Sequence, residues 1–324
     1  MRIHYRKIEQ GVQLVRLWGQ EGTVKVPESI AGEPIVEIAP YAFSARKDCE
    51  DLDVLIWEDE SCEEYIFGDD LSILCGENIQ EIHLPEYVRK IGNYAFYGCR
   101  NLRLFHATDR LVSMGSGVFT GCRLSEVQID FYDGEQSCLK EILTEIRYEV
   151  RAVLCCHGDK NAVAKVLFPE YYADAVENTP ARIVETHYYG SGGDYRECFY
   201  RKQLDFEKYD SMFILSQARD EISATASLAV GRLLYPYRLS DSAKAVYQEY
   251  LRTHMAELVA VWLETLREES AAILDYCCRE HLFTEQTLEA ALHTAMEHGQ
   301  AEIAGILMDE RRRLGVRRKK VFEL

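Results

Sequence analysis

A chain of 324 residues, 47% hydrophobic and 28% charged, has the make-up of one to three ordinary folded domains and excludes a disordered polymer. Its formal net charge of −17 disfavours nucleic acid and anionic membranes as partners, since both reward an excess of Lys and Arg. The start, MRIHYRKIEQ, has no apolar stretch behind its charges, and the longest unbroken apolar run, Leu258–Leu263, falls far short of the roughly 20 residues that span a bilayer. No transmembrane segment is therefore expected, and the eleven scattered cysteines read as reduced thiols of a cytoplasmic protein.

The first patterned segment is GTVKVPESIAGEPIVEIAPYAF, with Val24, Val26, Pro27, Ile38 and Phe43 at its apolar and turn positions. Residues 49–77 follow, with eleven Asp and Glu and no Lys or Arg. They read as a solvated acidic loop, or an irregular repeat, between Phe43 and the next clear unit. The stretch from Phe43 to Phe96 has room for one swollen repeat.

From residue 78 a fixed step emerges. Ile79, Ile82, Leu84, Val88, Ile91 and Phe96 recur 23 residues later as Leu102, Phe105, Ala107, Leu111, Met114 and Phe119, and Gly92, Gly98 and Cys99 recur as Gly115, Gly121 and Cys122. A third start, RLSEVQI, continues the rhythm with Leu124, Val127 and Ile129. A constant period of this size predicts stacked units that bury their apolar faces only against one another. Within each unit the alternation of EIHL predicts a strand with Ile82 and Leu84 inward and His83 outward, ended by Pro85, which has no N–H for a ladder.

LPEYVRKIGNYAFYGCRNL, with its Leu-Pro, Ile-Gly, Ala-Phe and Gly-Cys pairs, resembles the BspA-type (Treponema pallidum-type) leucine-rich repeat, and VPESIAGEPIVEIAPYAF resembles the longer first repeat of that family. The resemblance covers about residues 12–130. It implies a curved solenoid with a binding role. Many members of the family are exported surface proteins, and this chain departs from them in showing no signal peptide.

Beyond residue 134 the period ends. Ser137–Arg147 reads as a helix, YEVRAVLCC as a strand, FPEYYADAVENTP as a short helix, and the segment around Gly190, Gly192 and Gly193 as a hairpin or long turn. From about 206 the pattern is helical, with Ser240 or Asp241 as N-cap of the helix that follows. Near the end Ala271, Ile273 and Leu274 superimpose on Ala304, Ile306 and Leu307 at a step of 33, and LEAALHTAMEHGQAEIAGILMD resembles an ankyrin unit turned at Gly299. The fold class expected is α+β. A leucine-rich-repeat solenoid occupies 1–134, and a mixed α/β segment leads into a mainly helical, ankyrin-like region over 135–324.

Motifs that carry chemistry are scarce. There is no P-loop, no His-Glu-x-x-His, no Cys-x-x-Cys and no nucleophile elbow, so no catalytic residue, cofactor or metal ligand is assigned. His83 and His106 share the outward strand position in adjacent repeats, with Lys25 before them and Gln128 after. Two ligands with no third fixed by sequence are poor grounds for a metal. The column is read instead as a partner-contacting face made of Glu81, His83, His106, Glu126 and Gln128. Cys277, Cys278 and His281, and likewise CCHGD, read as core cysteines beside surface histidines.

Function is expected to be protein–protein interaction or scaffolding in a bacterial cytoplasm, without catalysis and with an unidentified protein partner. Two alternatives differ in class. One is an enzyme with a pocket in 135–205, using Glu185 and His187. The other is a nucleic-acid or membrane adaptor working through the basic run Arg311–Lys320, which otherwise reads as a helix end complementing its dipole.

Overall fold

Units that recur at a fixed step stack in register, because each gives its neighbour a backbone of matching length. The computed structural model describes residues 1–20, 22–46, 53–59, 72–158, 162–178, 183–265 and 270–315. They fall into two units, Met1–Met212 and Phe213–Leu324.

The first unit opens on an antiparallel hairpin, β1 (Arg2–Ile8) and β2 (Gly11–Gly19), whose alternation places Ile3, Tyr5, Val12, Leu14 and Leu17 in the core. The first solenoid turn consists of β3 (Gly22–Lys25), β4 (Ser29–Ile30) and β5 (Glu33–Ile38). Two short strands of the following segment, β6 (Leu55–Glu58) and β7 (Ser72–Ile73), pair antiparallel with β1 and β2. The second turn is β8 (Ile79–His83) with β9 (Lys90–Ile91), and the third is β10 (Leu104–Thr108) with β11 (Ser113–Met114). β12 (Glu126–Phe131) begins the fourth, completed by helix α1 (Leu139–Glu145), and β13 (Val150–Cys156) begins the fifth.

These turns build two sheets. β3, β8, β10, β12 and β13 pair in parallel, and β14 (Ala162–Phe168) closes that sheet antiparallel to β13. β5, β9 and β11 run parallel in the other sheet, joined to the hairpin through β2. No turn intervenes between the first and second: β3 pairs directly with β8, and Phe43 stacks on Phe96 at 4.9 Å between ring centroids. Among the described residues no solenoid turn stands between these two, so the swollen repeat for which the stretch from Phe43 to Phe96 has room does not separate them, in keeping with the inserted-loop reading.

The 23-residue rhyme is a set of ladders through the core. Phe43, Phe96 and Phe119 stack with nearly parallel rings, the second pair at 5.5 Å, and all three are buried. Each such ring removed from water is worth roughly 1.5–3 kcal/mol. The thiol of Cys99 donates to the carbonyl of Phe43 at 3.2 Å, and that of Cys122 to the carbonyl of Phe96 at 3.1 Å, so each cysteine ties its turn to the preceding one. The repeated glycine of the Ile-Gly pair is required by close approach: a Cβ on Gly92 would meet the Pro40 nitrogen at 2.4 Å, and one on Gly115 the Asn93 nitrogen at 2.5 Å. The stack needs an end, and α1 provides it. The Glu145 carboxylate accepts from Val118 N–H at 3.2 Å and Phe119 N–H at 2.7 Å, where another repeat would present carbonyls.

Past the solenoid, β15 (Tyr172–Asn178) and β16 (Ile183–Tyr189) form a seven-pair antiparallel hairpin with Tyr172 opposite Tyr189. The short helix expected over FPEYYADAVENTP is thus a strand, because cross-strand pairing overrides the local helical signal. Of the glycines expected to form a turn, Gly190, with φ of 78°, bends the chain after β16, whereas Gly192 and Gly193 open α2 (Gly192–Arg196), followed by the two-residue strands β17 (Phe199–Tyr200) and β18 (Gln203–Leu204) and by α3 (Phe206–Ser211). Arg196, 5% exposed, donates from its guanidinium to the carbonyls of Leu143, Ile146, Tyr148, Pro169 and Gly192 at 2.6–3.2 Å. One side chain thereby ties the end of α1, the approach to β13, the end of β14 and α2. Tyr209 seals the edge of β14: its hydroxyl accepts from Leu167 N–H at 2.9 Å and donates to Leu167 O at 2.6 Å.

The second unit is helical: α4 (Phe213–Arg219), α5 (Ile222–Leu234), α6 (Asp241–Thr265), α7 (Ser270–Arg279), α8 (Glu285–Glu297) and α9 (Ala301–Arg313). Ser240 caps α6 as expected, its hydroxyl accepting from Ala243 N–H at 3.2 Å. Thr284 and Thr287 form a reciprocal capping box at the start of α8, and Gly299, with φ of 67°, makes the turn into α9. Trp262, Tyr247, Leu251, Leu274, Leu288 and Leu307 are among its buried side chains.

Candidate functional site

Strand alternation sends one set of side chains into the solenoid and the other onto the outer face of the parallel sheet. On β12, Val127, Ile129 and Phe131 are buried, while Glu126, Gln128 and Asp130 point outward and are partly exposed. Parallel register then lines the outward residues into rows. One row runs Thr23, Glu81, Leu104, Glu126, Arg151, and the next Lys25, His83, His106, Gln128, Val153. All five face residues expected from sequence, Glu81, His83, His106, Glu126 and Gln128, fall in these two adjacent rows.

The rows are hydrogen-bonded lattices. Thr23 donates its hydroxyl to Glu81 at 3.0 Å, and Gln128 donates its amide to Glu126 at 2.7 Å. His83 and His106 meet through their Nδ1 atoms at 3.4 Å, with ring centroids 5.3 Å apart. His106 Nε2 lies 2.8 Å from Asp130 Oδ2, and His157 Nε2 lies 3.0 Å from Asp130 Oδ1. The His157 ring stacks on Tyr132 at 4.6 Å and 9° between planes. Four titratable side chains are thus joined in the sequence His83, His106, Asp130, His157.

Burial pushes the His83 pKa below its ordinary value, with the charge of His106 adding to the effect. Burial opposes ionisation of Asp130, but hydrogen bonds from His157 and His106 outweigh it and hold the carboxyl below its usual range. The Cys155 thiol, nearby on β13, is raised by burial and by Asp130. With side-chain exposures of 27% for His83, 22% for His106 and 19% for Asp130, the cluster is half-sunk in the sheet face and still open to solvent.

Asp130, His157 and Tyr132 were not among the residues expected from sequence. The signal for Asp130 was present, since it follows Gln128 by two residues on the same strand. His157 had none: it comes into reach only because β13 continues the parallel sheet.

Elsewhere Cys277 and Cys278 are buried, and His281 is exposed and directed at Glu310 at 3.3 Å, as the reading of core cysteines beside a surface histidine has it. Among the described residues no group of three or more His, Cys, Asp or Glu side chains is placed to hold a metal ion. Glu185 and His187 lie on β16, and their side chains fall outside the described residues. Arg311, Arg312 and Arg313 end α9, where they complement its dipole and pair with Glu289, Asp309 and Glu310. The rest of the basic run, 316–320, lies outside the described residues. Among the described residues no helix is long and apolar enough to cross a membrane.

Residues 71–146 match the family model described as BspA type leucine rich repeat region, in six copies. A comparison with curated proteins finds no match. Among solved structures, the crystal structure of the T. pallidum leucine rich repeat protein is similar at 16% identity, over 42% of this chain and 72% of that chain, with a TM-score of 0.20.

Proposed function

We propose that this chain is a non-catalytic protein-binding module of the bacterial cytoplasm, and that it engages its partner through the outer face of the parallel sheet. The observation that carries this is the lattice of Thr23, Glu81, Glu126, Lys25, His83, His106 and Gln128. These polar side chains are spaced by a rigid ladder, and three contacts preorganise them: Thr23 with Glu81, His83 with His106 and Gln128 with Glu126. A preordered face loses little side-chain entropy on binding and fixes the register of a complementary polar surface. The leucine-rich-repeat match over 71–146 supports the same class of role. The helices after α6 are read as an ankyrin-like stack that adds a second interaction surface.

The test is affinity capture from the native-source lysate, comparing wild type, a His83→Glu/His106→Glu variant and a Lys140→Glu control on α1, each first shown to keep its melting temperature. A protein held by wild type and control, and lost from the double variant, is the expected result. Its retention by all three, reproduced with the purified partner, would move the binding surface elsewhere.

A further inference from the structure

We propose that the outer sheet face is a pH-sensitive recognition surface, in which the contact between His83 and His106 stays closed while a single hydrogen lies between the rings and opens when both rings are protonated. The regulation acts on the face assigned above to partner binding, and to that extent rests on that reading.

The geometry orders the hydrogens along the whole chain of side chains. Asp130 faces a histidine nitrogen at each oxygen, His106 Nε2 at 2.8 Å and His157 Nε2 at 3.0 Å. A carboxylate only accepts, so both Nε2 atoms carry hydrogen. Neutral His106 then presents a lone pair at Nδ1, which faces His83 Nδ1 at 3.4 Å. The hydrogen between the rings therefore sits on His83. Its Nε2, 3.8 Å from Glu81 Oε2, is left as a proton acceptor on the open side of the pair.

A first proton keeps this contact. It makes His106 an imidazolium that donates at both nitrogens, while His83 moves its own hydrogen from Nδ1 to Nε2 and turns a lone pair to its neighbour. One hydrogen still lies between the rings, and the new cation is paired with Asp130. A second proton has no such place. With both rings charged, two hydrogens and two like charges meet across 3.4 Å with no acceptor between them. Asp130 holds His106, and His157 braces Asp130, so the ring that leaves is His83.

The surrounding groups set where this happens. Lys25 on β3 flanks His83 in its row and opposes the second charge, whereas Glu81, on the same strand as His83, favours it. On β12, Gln128 is neutral and engaged by Glu126. On β13, Val153 is apolar, Arg151 lies beside Glu126, and the Cys155 thiol, opposite Asp130, is pushed up and stays neutral. Lys165 on β14 continues the row beyond Val153. The two largest influences after these are counted, burial first and the charge of His106 second, both push the His83 pKa down. The opening therefore falls below the ordinary histidine value of about 6.5. Asp130 is still ionised there, because its carboxyl is held below its usual range. The opened face carries three cations in one row, Lys25, His83 and His106. A partner matched to the neutral row meets unmatched charge in the acid form.

The experiment is a pH titration of the isolated full-length chain, from about pH 8 to about pH 4.5, followed by two-bond proton–nitrogen correlation spectra of the histidine rings, assigned through the backbone. At the alkaline end His83 is expected as the Nδ1–H tautomer and His106 as the Nε2–H tautomer. His83 changes tautomer as His106 gains its charge, and becomes charged itself only below the ordinary histidine value. In His106→Gln that last midpoint moves up. Should the variant fail to fold, the change of tautomer in wild type decides. Independent titration of the two rings, with His83 at the ordinary value and unmoved by His106→Gln, overturns the proposal, as does an Nε2–H tautomer of His83 at the alkaline end. A protein captured through this face at neutral pH is expected to leave as His83 becomes charged, and its retention through that range overturns the regulatory role. Because the titration needs no partner, failure to capture any protein counts against the binding reading alone.

Discussion

Replacing Arg196 with Met tests the physical account of the first unit most severely. The substitution keeps an unbranched apolar stem and removes the guanidinium. Five carbonyls lose a donor: Pro169 at 2.6 Å, Tyr148 at 2.7 Å, Gly192 at 2.9 Å, Ile146 at 3.1 Å and Leu143 at 3.2 Å. Leu143 keeps the N–H of Ile146, so its loss is partly covered. Gly192 likewise keeps the helical N–H of residue 196, so the full cost falls on Pro169 and Tyr148, where orphaning an acceptor costs about 1–3 kcal/mol each. Removing a buried cation returns part of that. Burial already pushes the Arg196 pKa down to about 10, although the group remains protonated at neutral pH. The expected net loss is about 2–4 kcal/mol, the cost of carbonyls left without a donor less what is regained by no longer burying a cation. Arg196→Lys supplies at most three donors without the planar fork and is expected to recover less than half the loss. Urea unfolding followed by far-ultraviolet circular dichroism gives the difference from the midpoint and the m-value. A loss below about 1 kcal/mol for Arg196→Met with an unchanged m-value would mean that Arg196 does not hold these segments together, because acceptors left bare in a packed interior carry a cost.

Three further outcomes are expected. Glu145→Ala removes the acceptors of Val118 and Phe119 N–H at the end of the stack, and urea unfolding should show a loss of about 1–3 kcal/mol, with Glu145→Gln recovering part of it. Gly115→Ala drives a Cβ to within 2.5 Å of the Asn93 backbone and is expected to cost more than about 2 kcal/mol, whereas Gly134→Ala, with open space around it, leaves the melting temperature within about two degrees of wild type. Burial raises the thiols of Cys138, Cys198 and Cys278 to about 12 and pushes Cys99 and Cys277 up as well, although hydrogen bonding by Cys122 is the larger cause for Cys99. These five should resist a thiol reagent at pH 8 in the native protein and react in denaturant. Native labelling of any of them at its denatured rate would contradict the burial assigned.

The repeat was legible because its constraint is local and periodic. A 23-residue step in Gly, Phe and Cys fixes where each turn must bend and what it buries, and Phe96 and Phe119 stack as that step requires. Outward positions on β8, β10 and β12 followed from alternation alone, so Glu81, His83, His106, Glu126 and Gln128 all lie on one face. The helices from α5 onward announced themselves in the same way, through periodicity and the Ser240 cap. Pairing between segments far apart in sequence leaves no such mark. β15 pairs with β16 although its own residues read as helix, and β3 pairs with β8 across a 44–78 segment that looked long enough for a turn of its own.

The solenoid, its period and the inward or outward sense of each strand residue are thus readable from the order of residues, since these depend on neighbours a few positions or one repeat away. How the stack ends and what gathers on its face emerge only once the chain is folded. Glu145 caps the last turn, Arg196 ties four segments, and His157 joins His106 at Asp130 because β13 extends the sheet. Each of these is a single side chain meeting groups distant in the chain. No periodicity records such a meeting; it follows from closure of the fold and from the cost of leaving buried polar groups unmatched.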